Sequence, residues 1–561
     1  MVDTGNKTPA FVVVTGGVLS GIGKGVTTAS IAKLFQFRGY SVRIVKIDPY
    51  LNIDPGTLNP VEHGEVFVTD GTWIFHPFRD FEFKISEIDL DFGTYERFTG
   101  LDVHPSQNIT SGQIYLSVIL EERKGRFLGR TVQIIPHVTD HIKQRIWDVV
   151  HESHPDVLLI EIGGTVGDIE AMPFLEAIRQ LTMDVGRNHV ALVHVTYVPY
   201  VKSVGEFKTK PTQHSVRALQ GLGLQPDVIV CRAELELDES LMAKIALFCN
   251  VPRNRVISNP DTPVIYSIPL LFEKQGLGSA LVEHLGLESR PADVGPWAKI
   301  VESFVNAKDT IVIAMPGKYT RLEDSYKSIS EALQHASAAL GVRVNVKCIE
   351  TDEHTCEFFR SEFESVDGVL LTPGFGNRGV EGMISAASAT LNLNLPFLGI
   401  CYGAQLGVVA FARTRMGWNG AHTTEVDPDS LYPVVDLMDE QRTTKEKGGT
   451  MRLGGHPVHI VEGTHLHRLY GERVVRERFR HRYHLIQRYI GKMTDKGLIV
   501  SAYDETGSII NAVELREHPF WIGVQFHPEF KSRPDRPHPL YVGLIRAALE
   551  HKRARVESRG E

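Results

Sequence analysis

The chain has 561 residues, 42% of them apolar and 23% charged, which is ordinary for a globular enzyme and too long for a single core, so two or more domains are expected. A net charge of −8 with pI near 6.3 argues against a nucleic-acid groove as the main business, while leaving room for a local basic pocket. No apolar run reaches membrane-spanning length, the first residues lack a signal-peptide pattern, and five cysteines without CxxC spacing suit reduced thiols; a cytoplasmic protein without membrane contact is expected.

The first predicted strand, residues 11–15, runs into Gly16-Gly17-Val18-Leu19-Ser20-Gly21-Ile22-Gly23-Lys24-Gly25, and a helical pattern follows through Ile31, Ala32, Leu34 and Phe35. Strand, glycine turn and helix form the context in which backbone N–H groups and a helix N-terminus hold a phosphate chain. It is not strictly a Walker A motif, because Val18 stands where the first glycine should be and Gly25 replaces the metal-binding hydroxyl residue. Further strands over 42–47, 157–162, 190–198 and 228–231 alternate with helical stretches, which predicts a parallel α/β sheet. Such sheets bind ligands beyond the carboxyl ends of their strands, where Lys46 and Glu161 fall. Glu161 there either holds a cation on nucleotide phosphates or caps the next helix.

Between Gly71 and Asp89, residues 72–88 alternate Phe81, Phe83 and Ile85 with polar positions, which predicts a hairpin strand with one apolar face. Lys208-Thr209-Lys210-Pro211-Thr212-Gln213 offers two lysines, two hydroxyls and an amide around a proline-started helix. That set suits a triphosphate and a base edge, or makes a solvated basic turn. Lys244, on an apolar helix, reads as a snorkelling side chain.

Residues 289–296 mark a boundary and a connecting helix is predicted from 297 to about 307, so the layout reads 1–290, linker 291–308, 309–550 and a polar tail 551–561. A second α/β pattern begins with a strand at 310–315, then Pro316-Gly317-Lys318-Tyr319 and a helix over 325–341. A strand over 395–400 ends in Cys401-Tyr402-Gly403-Ala404-Gln405, the pattern of a nucleophile elbow whose helix N-terminus favours the thiolate. Downstream, Gly523-Val524-Gln525-Phe526-His527-Pro528-Glu529 would put His527 and Glu529 on one side of an extended segment. Cys401, His527 and Glu529 then form a nucleophile, a general base and its orienter.

Together the glycine loop, Lys46-Ile47-Asp48-Pro49-Tyr50, His63-Gly64-Glu65-Val66-Phe67-Val68, Glu161-Ile162-Gly163-Gly164-Thr165-Val166-Gly167-Asp168-Ile169-Glu170 and the Lys208–Gln213 stretch appear in an order that resembles the CTP synthase family over nearly the whole chain. The second half resembles a class I (triad) glutamine amidotransferase. The resemblance implies a P-loop-type parallel-sheet amidoligase domain followed by a second α/β domain. ATP as co-substrate would phosphorylate O4 of UTP, and ammonia from glutamine would displace that phosphate. By resemblance, Ser20, Gly21, Ile22, Gly23, Lys24, Gly25 and Asp70 match the ATP site. Ser20, Lys46, Asp168, Ile169, Glu170, Lys208, Thr209, Lys210, Pro211, Thr212, Gln213 and Lys244 match the UTP/CTP site. Asp70 and Glu161 match Mg²⁺ ligands, and Gly374, Tyr402, Gly403, Ala404, Gln405, Glu425 and Arg482 match the glutamine site, with Arg482 on the substrate α-carboxylate.

CTP as feedback inhibitor, GTP as activator, a homotetramer and filaments are implied by the resemblance alone. The sequence departs from the family at residues 72–88, at Pro316, and at Pro373-Gly374-Phe375-Gly376, which is one glycine short. The first and the last of these departures support the alternative of a catalytically weak regulatory or filament-forming paralogue.

Overall fold

The computed structural model describes residues 8–78, 81–318, 323–352, 354–442 and 448–559. Arg79 and Asp80 of the hairpin, Tyr319, and the tail residues Gly560 and Glu561 lie outside the described residues. Packing divides the chain into two units. The first is Met1–Asp54, Ile74–Phe83 and Thr94–Val301; the second is Pro55–Trp73, Lys84–Gly93 and Glu302–Glu561. Two short segments that precede residue 94, Pro55–Trp73 and Lys84–Gly93, thus pack with the second unit.

The first unit is built on a seven-stranded parallel sheet in the order Val256–Pro260, Val228–Ala233, Val190–Tyr197, Ala10–Gly16, Val157–Ile162, Val42–Asp48 and Asn108–Thr110. Ala10–Gly16 is buried along its whole length, with Phe11 opposite Leu158 on one side and Val190 on the other. A strand covered on both faces needs an unbroken apolar run, which is why Phe11-Val12-Val13-Val14 was readable. The outer strands Asn108–Thr110 and Val256–Pro260 carry no such run and were not expected. All seven strands run the same way, so the glycine loop, Lys46 and Glu161 come to the same edge of the sheet.

The main sheet of the second unit has nine strands among the described residues. Val342–Glu350, Asp309–Gly317, Gly368–Leu371, Phe397–Ile400 and Trp521–Val524 are parallel; Ile510–Leu515, Leu498–Tyr503, Arg452–Ile460 and Val474–His481 continue the sheet antiparallel. Apolar clusters cover both faces, one around Phe397, Trp521 and Phe411, the other around Leu398, Ile522 and Tyr541.

The expected hairpin exists: Phe67–Phe78 pairs with Phe81–Ile88 in a two-stranded ribbon. Its apolar residues do not share one buried face, however. Phe81 and Phe83 are 45% and 36% exposed while Ile85 is 1% exposed, and residues 85–88 are all buried. Burial changes along Phe81–Ile88, whereas residues 74–77 of the paired strand alternate exposed and buried, and the Phe83 ring centre lies 6.3 Å from that of Phe75. The connecting helix runs Gly295–Val305. The described part of the polar tail continues the last helix, Pro539–Arg559, where Arg555 donates to Asp367 at 2.7 Å. No described helix is long and apolar enough to cross a membrane.

Candidate active sites

In the first unit the glycine turn ends at Gly23, and Lys24 opens the helix Lys24–Gln36. Val18, Leu19, Ser20 and Gly21 are exposed, whereas Ile22, Lys24 and Gly25 are buried. Lys24 Nζ donates to the carbonyl of Gly164 at 2.6 Å, tying the loop to the segment after Glu161. Gly17 is required sterically: a Cβ there would lie 1.6 Å from Ser215 Oγ. That hydroxyl is 2.7 Å from Nε2 of His194, whose Nδ1 is 2.9 Å from Thr15 Oγ1. Burial, and then the Lys24 charge, lower the His194 imidazole to about 3, so it is a neutral strut.

Lys46 and Glu161 are both buried, with Nζ 3.5 Å from Oε1; Tyr95 donates a short hydrogen bond to the other Glu161 oxygen. Asp168 accepts from the backbone N–H of Thr165 at 2.7 Å, while Ile169 and Glu170 are exposed at the start of the next helical turn. Thr209 precedes Lys210–Gly221, the helix that carries Pro211 near its start. Thr212 and Gln213 are buried, Lys210 sits over the Phe248 ring at 5.8 Å, and Lys208 pairs with Glu206. Lys244 is exposed on Glu239–Cys249.

In the second unit Cys401 sits between the strand Phe397–Ile400 and the helix Tyr402–Arg415 with φ 50° and ψ −106°. A positive φ at a non-glycine residue in this turn is the strained geometry of a nucleophile elbow. Gly403 makes the turn possible, since a Cβ would lie 2.2 Å from the Leu371 carbonyl oxygen. Cys401 Sγ lies 3.6 Å from both Gln525 Nε2 and the carbonyl oxygen of Arg480. Gln405 Nε2 donates to Gln525 Oε1 at 3.0 Å and so orients that amide. His527 Nδ1 lies 2.7 Å from Glu529 Oε1, both side chains buried.

The segment is not extended as expected. Pro528 starts the 3₁₀ turn Pro528–Lys531, His527 precedes it, and the contact is made across the start of that turn. Burial pushes the imidazole down, but the Glu529 carboxylate and then Cys401 outweigh it and bring it up to about 10.

The shortened glycine loop is held by a side chain that sequence reasoning left unassigned. Lys318 Nζ donates to Phe375 O at 2.8 Å and Gly376 O at 2.6 Å, and lies 4.7 Å from the centre of the Tyr402 ring. Burial lowers its ammonium to about 8, against the pull of Glu425. Glu425 accepts from Gly376 N–H at 2.7 Å, Tyr402 OH donates to Gly376 O at 3.0 Å, and Gly374 lies beside Tyr402 and Lys318. Arg482 donates to Gln441 at 2.7 Å and Thr450 at 2.9 Å. Lys318, the loop around Gly374 and Gly376, Tyr402 and Glu425 thus come together, while Arg482 is held at Gln441 and Thr450. The lysine after Gly317 was the available signal for Lys318, and Gln525 lay inside the histidine motif.

Asp70 requires a correction. Its carboxylate is 2.7 Å from Arg478 Nε, with Arg476 and Lys531 each at 3.8 Å, all in the second unit. Burial raises its carboxyl, but Arg478 and the other two cations outweigh that and hold it below the usual range. A carboxylate already satisfied by three cations does not fit the ATP and metal roles read from the sequence. Among the described residues no group of three or more His, Cys, Asp or Glu side chains is arranged to hold a metal ion.

Fold and site together define a two-part protein, a parallel-sheet nucleotide-type unit joined to a thiol glutaminase-type unit. Family models match in the same two parts: CTP synthase N-terminus over residues 10–287 and glutamine amidotransferase class-I over residues 321–547. A CTP synthase of Pelotomaculum thermopropionicum is 47% identical over 545 residues, 97% of this chain and 99% of that one. One of Methanopyrus kandleri is 52% identical over 542 residues, 96% of this chain and 98% of that one. Among solved structures, the glutaminase domain of Trypanosoma brucei CTPS with bound acivicin is 34% identical, covering 43% of this chain and 94% of that chain with a TM-score of 0.41. The chain belongs to the CTP synthase family.

Proposed function

We propose that this protein aminates UTP to CTP, consuming ATP and glutamine and releasing ADP, phosphate and glutamate. The observation that carries the glutaminase half is the buried 2.7 Å His527–Glu529 contact beside Cys401 on its strained elbow. Cys401 attacks the glutamine amide carbon, and His527 passes a proton to the departing ammonia. Water then hydrolyses the thioester with His527, now without that proton, as base, and Glu529 on Nδ1 keeps Nε2 as the atom that gives and takes the proton. The backbone at Gly374 and Tyr402 receives the oxyanion; Gly403, Ala404, Gln405, Glu425 and Arg482 bind glutamine, with Lys318 fixing the loop they share.

In the other half, Ser20, Gly21, Ile22, Gly23, Lys24 and Gly25 cradle the ATP phosphates. Lys24 and Lys46 neutralise charge on the phosphoryl group as it moves to O4 of UTP. Ser20, Asp168, Ile169, Glu170, Lys208, Thr209, Lys210, Pro211, Thr212, Gln213 and Lys244 hold the pyrimidine nucleotide, and CTP would compete there as a feedback inhibitor. Ammonia adds at C4, and the phosphate bound through O4 leaves. Mg²⁺ would serve as the counter-ion of the ATP phosphates with Glu161 as a ligand, whereas Asp70, met by Arg478, Arg476 and Lys531, does not fit that role. GTP activation, a homotetramer, filaments and a cytoplasmic setting complete the reading by family membership. A domain boundary near residues 291–308 is part of it as well.

The test is direct. The purified chain supplied with UTP, ATP, Mg²⁺ and glutamine should form CTP and ADP in equal amounts. ATP turnover without CTP would favour the weak-paralogue alternative, which no other observation favours.

A further inference from the structure

Phe67, Val68 and Asp70 belong to the strand Phe67–Phe78, yet their contacts run to the histidine of the thiol site. Arg478, fully buried, donates Nε to Asp70 Oδ1 at 2.7 Å and Nη1 to the Val68 carbonyl at 3.0 Å and the Phe530 carbonyl at 3.3 Å. Its own carbonyl accepts from the backbone N–H of His527 at 2.8 Å. The Phe530 ring stacks on the His527 imidazole, with centroids 5.3 Å apart and planes 16° from parallel. Phe67 meets Phe530 edge-on at 5.2 Å, and the Arg478 guanidinium lies 5.2 Å from the Phe67 ring centre. Two routes, one through the Arg478 backbone and one through the Phe530 ring, therefore lead from residues 67–70 to His527. The segment is itself anchored, since Glu65 accepts from the backbone N–H of Ser328 at 2.8 Å.

We propose that Asp70 is a positioning residue for the glutaminase reaction: by fixing Arg478 it sets the backbone and ring of His527, and it is not a ligand of the metal used in phosphoryl transfer. The proposal rests on the glutamine-dependent reading above. A buried guanidinium is costly without an opposite charge, and loss of the Asp70 charge loosens the hold of Arg478 on the Val68 and Phe530 carbonyls. A catalytic base loses rate steeply when displaced by even a fraction of an ångström, whereas substrate contacts made elsewhere are unaffected. The expected signature is therefore a fall in kcat with little change in KM.

The experiment compares wild type, Asp70→Asn, Asp70→Glu and Phe67→Leu for glutamine hydrolysis, for CTP formation from free ammonia, and for the Mg²⁺ concentration that half-saturates the ammonia reaction. Asp70→Asn should lower kcat for glutamine hydrolysis about tenfold or more with KM within about twofold. Its ammonia-dependent rate and Mg²⁺ requirement should stay within about twofold of wild type. Asp70→Glu should recover part of the rate. Phe67→Leu, which leaves every charge in place, should also lower kcat for glutamine alone. Loss of the ammonia reaction or a raised Mg²⁺ requirement in a folded Asp70→Asn protein would overturn the proposal in favour of a metal ligand. So would unchanged glutamine hydrolysis in both Asp70→Asn and Phe67→Leu. A variant that does not fold counts against it if Phe67→Leu is also silent. Failure of the underlying reading looks different, because wild type itself would then make no CTP from either nitrogen source.

Discussion

In the second unit, Cys401, His527 and Glu529 are buried and already in register, with the imidazole 2.7 Å from its orienting carboxylate and the loop of residues 373–376 clamped by Lys318 and Glu425. In the first unit, Val18, Leu19, Ser20 and Gly21 face outward, and the side chain at the heart of the loop, Lys24, donates to a backbone carbonyl. Proton transfer and nucleophilic attack need groups held within hydrogen-bonding reach of one another, and those contacts are made by protein atoms alone. Phosphoryl transfer needs little covalent chemistry from the protein; its demands are positioning and charge neutralisation, and the nucleotide itself supplies most of the partners. One site is a finished device, and the other is a frame whose buried struts, Thr15, His194 and Ser215, hold an open edge.

Breaking the finished device should have the largest effect. Glu529→Gln keeps the size of the orienter but removes the charge that holds the imidazole, and should cut glutamine hydrolysis by about 10⁴-fold while ammonia-dependent CTP formation persists. Steady-state rates with the two donors check this; equal loss with both would erase the contrast between the sites.

Lys24→Ala should lower ATP turnover by about a hundredfold or more with either donor, because the charge it neutralises belongs to a step both routes share. Retention of the ammonia reaction would mean that the glycine loop has another task.

The His527–Glu529 pair also sharpens the contrast through pH. The folded imidazole titrates at about 10, above the unfolded value of about 6.5, so its contribution to stability is complete below about 6.5 and is lost as pH rises through about 10. Denaturant midpoints measured from pH 6 upward should show wild type losing more stability on the alkaline side than Glu529→Gln, in which the raised value collapses. Parallel curves would show that the carboxylate does not hold the proton.

The smallest effect concerns the frame. Gly17→Ala drives a methyl against Ser215 Oγ and should cost about 1–3 kcal/mol, read as a lowered Tm.

The elbow was legible because its signals are local: a strand end, small neighbours and a helix start lie within ten residues of Cys401. The first-unit sheet was legible for a similar reason, since strands buried on both faces leave apolar runs. Asp70 was misread because its partner Arg478 lies 408 positions away, and nothing in a segment after an apolar strand tells a metal ligand from an ion-pair partner. Thr15 and His194, 179 positions apart, and Lys318 with the 373–376 loop escaped for the same reason. The hairpin was found from its alternation, but which of its residues are covered depends on what packs along it. A strand pattern does not encode that.

Two chemistries in one chain share ammonia as the product of one and the substrate of the other. The most direct measurement is CTP formation by Cys401→Ala beside wild type, with UTP and ATP saturating and nitrogen supplied either as glutamine or as ammonium salt. The account predicts that the variant makes no CTP from glutamine and keeps the wild-type rate from ammonia within about twofold. CTP made from glutamine by the variant, or loss of both activities in a folded protein, would contradict it.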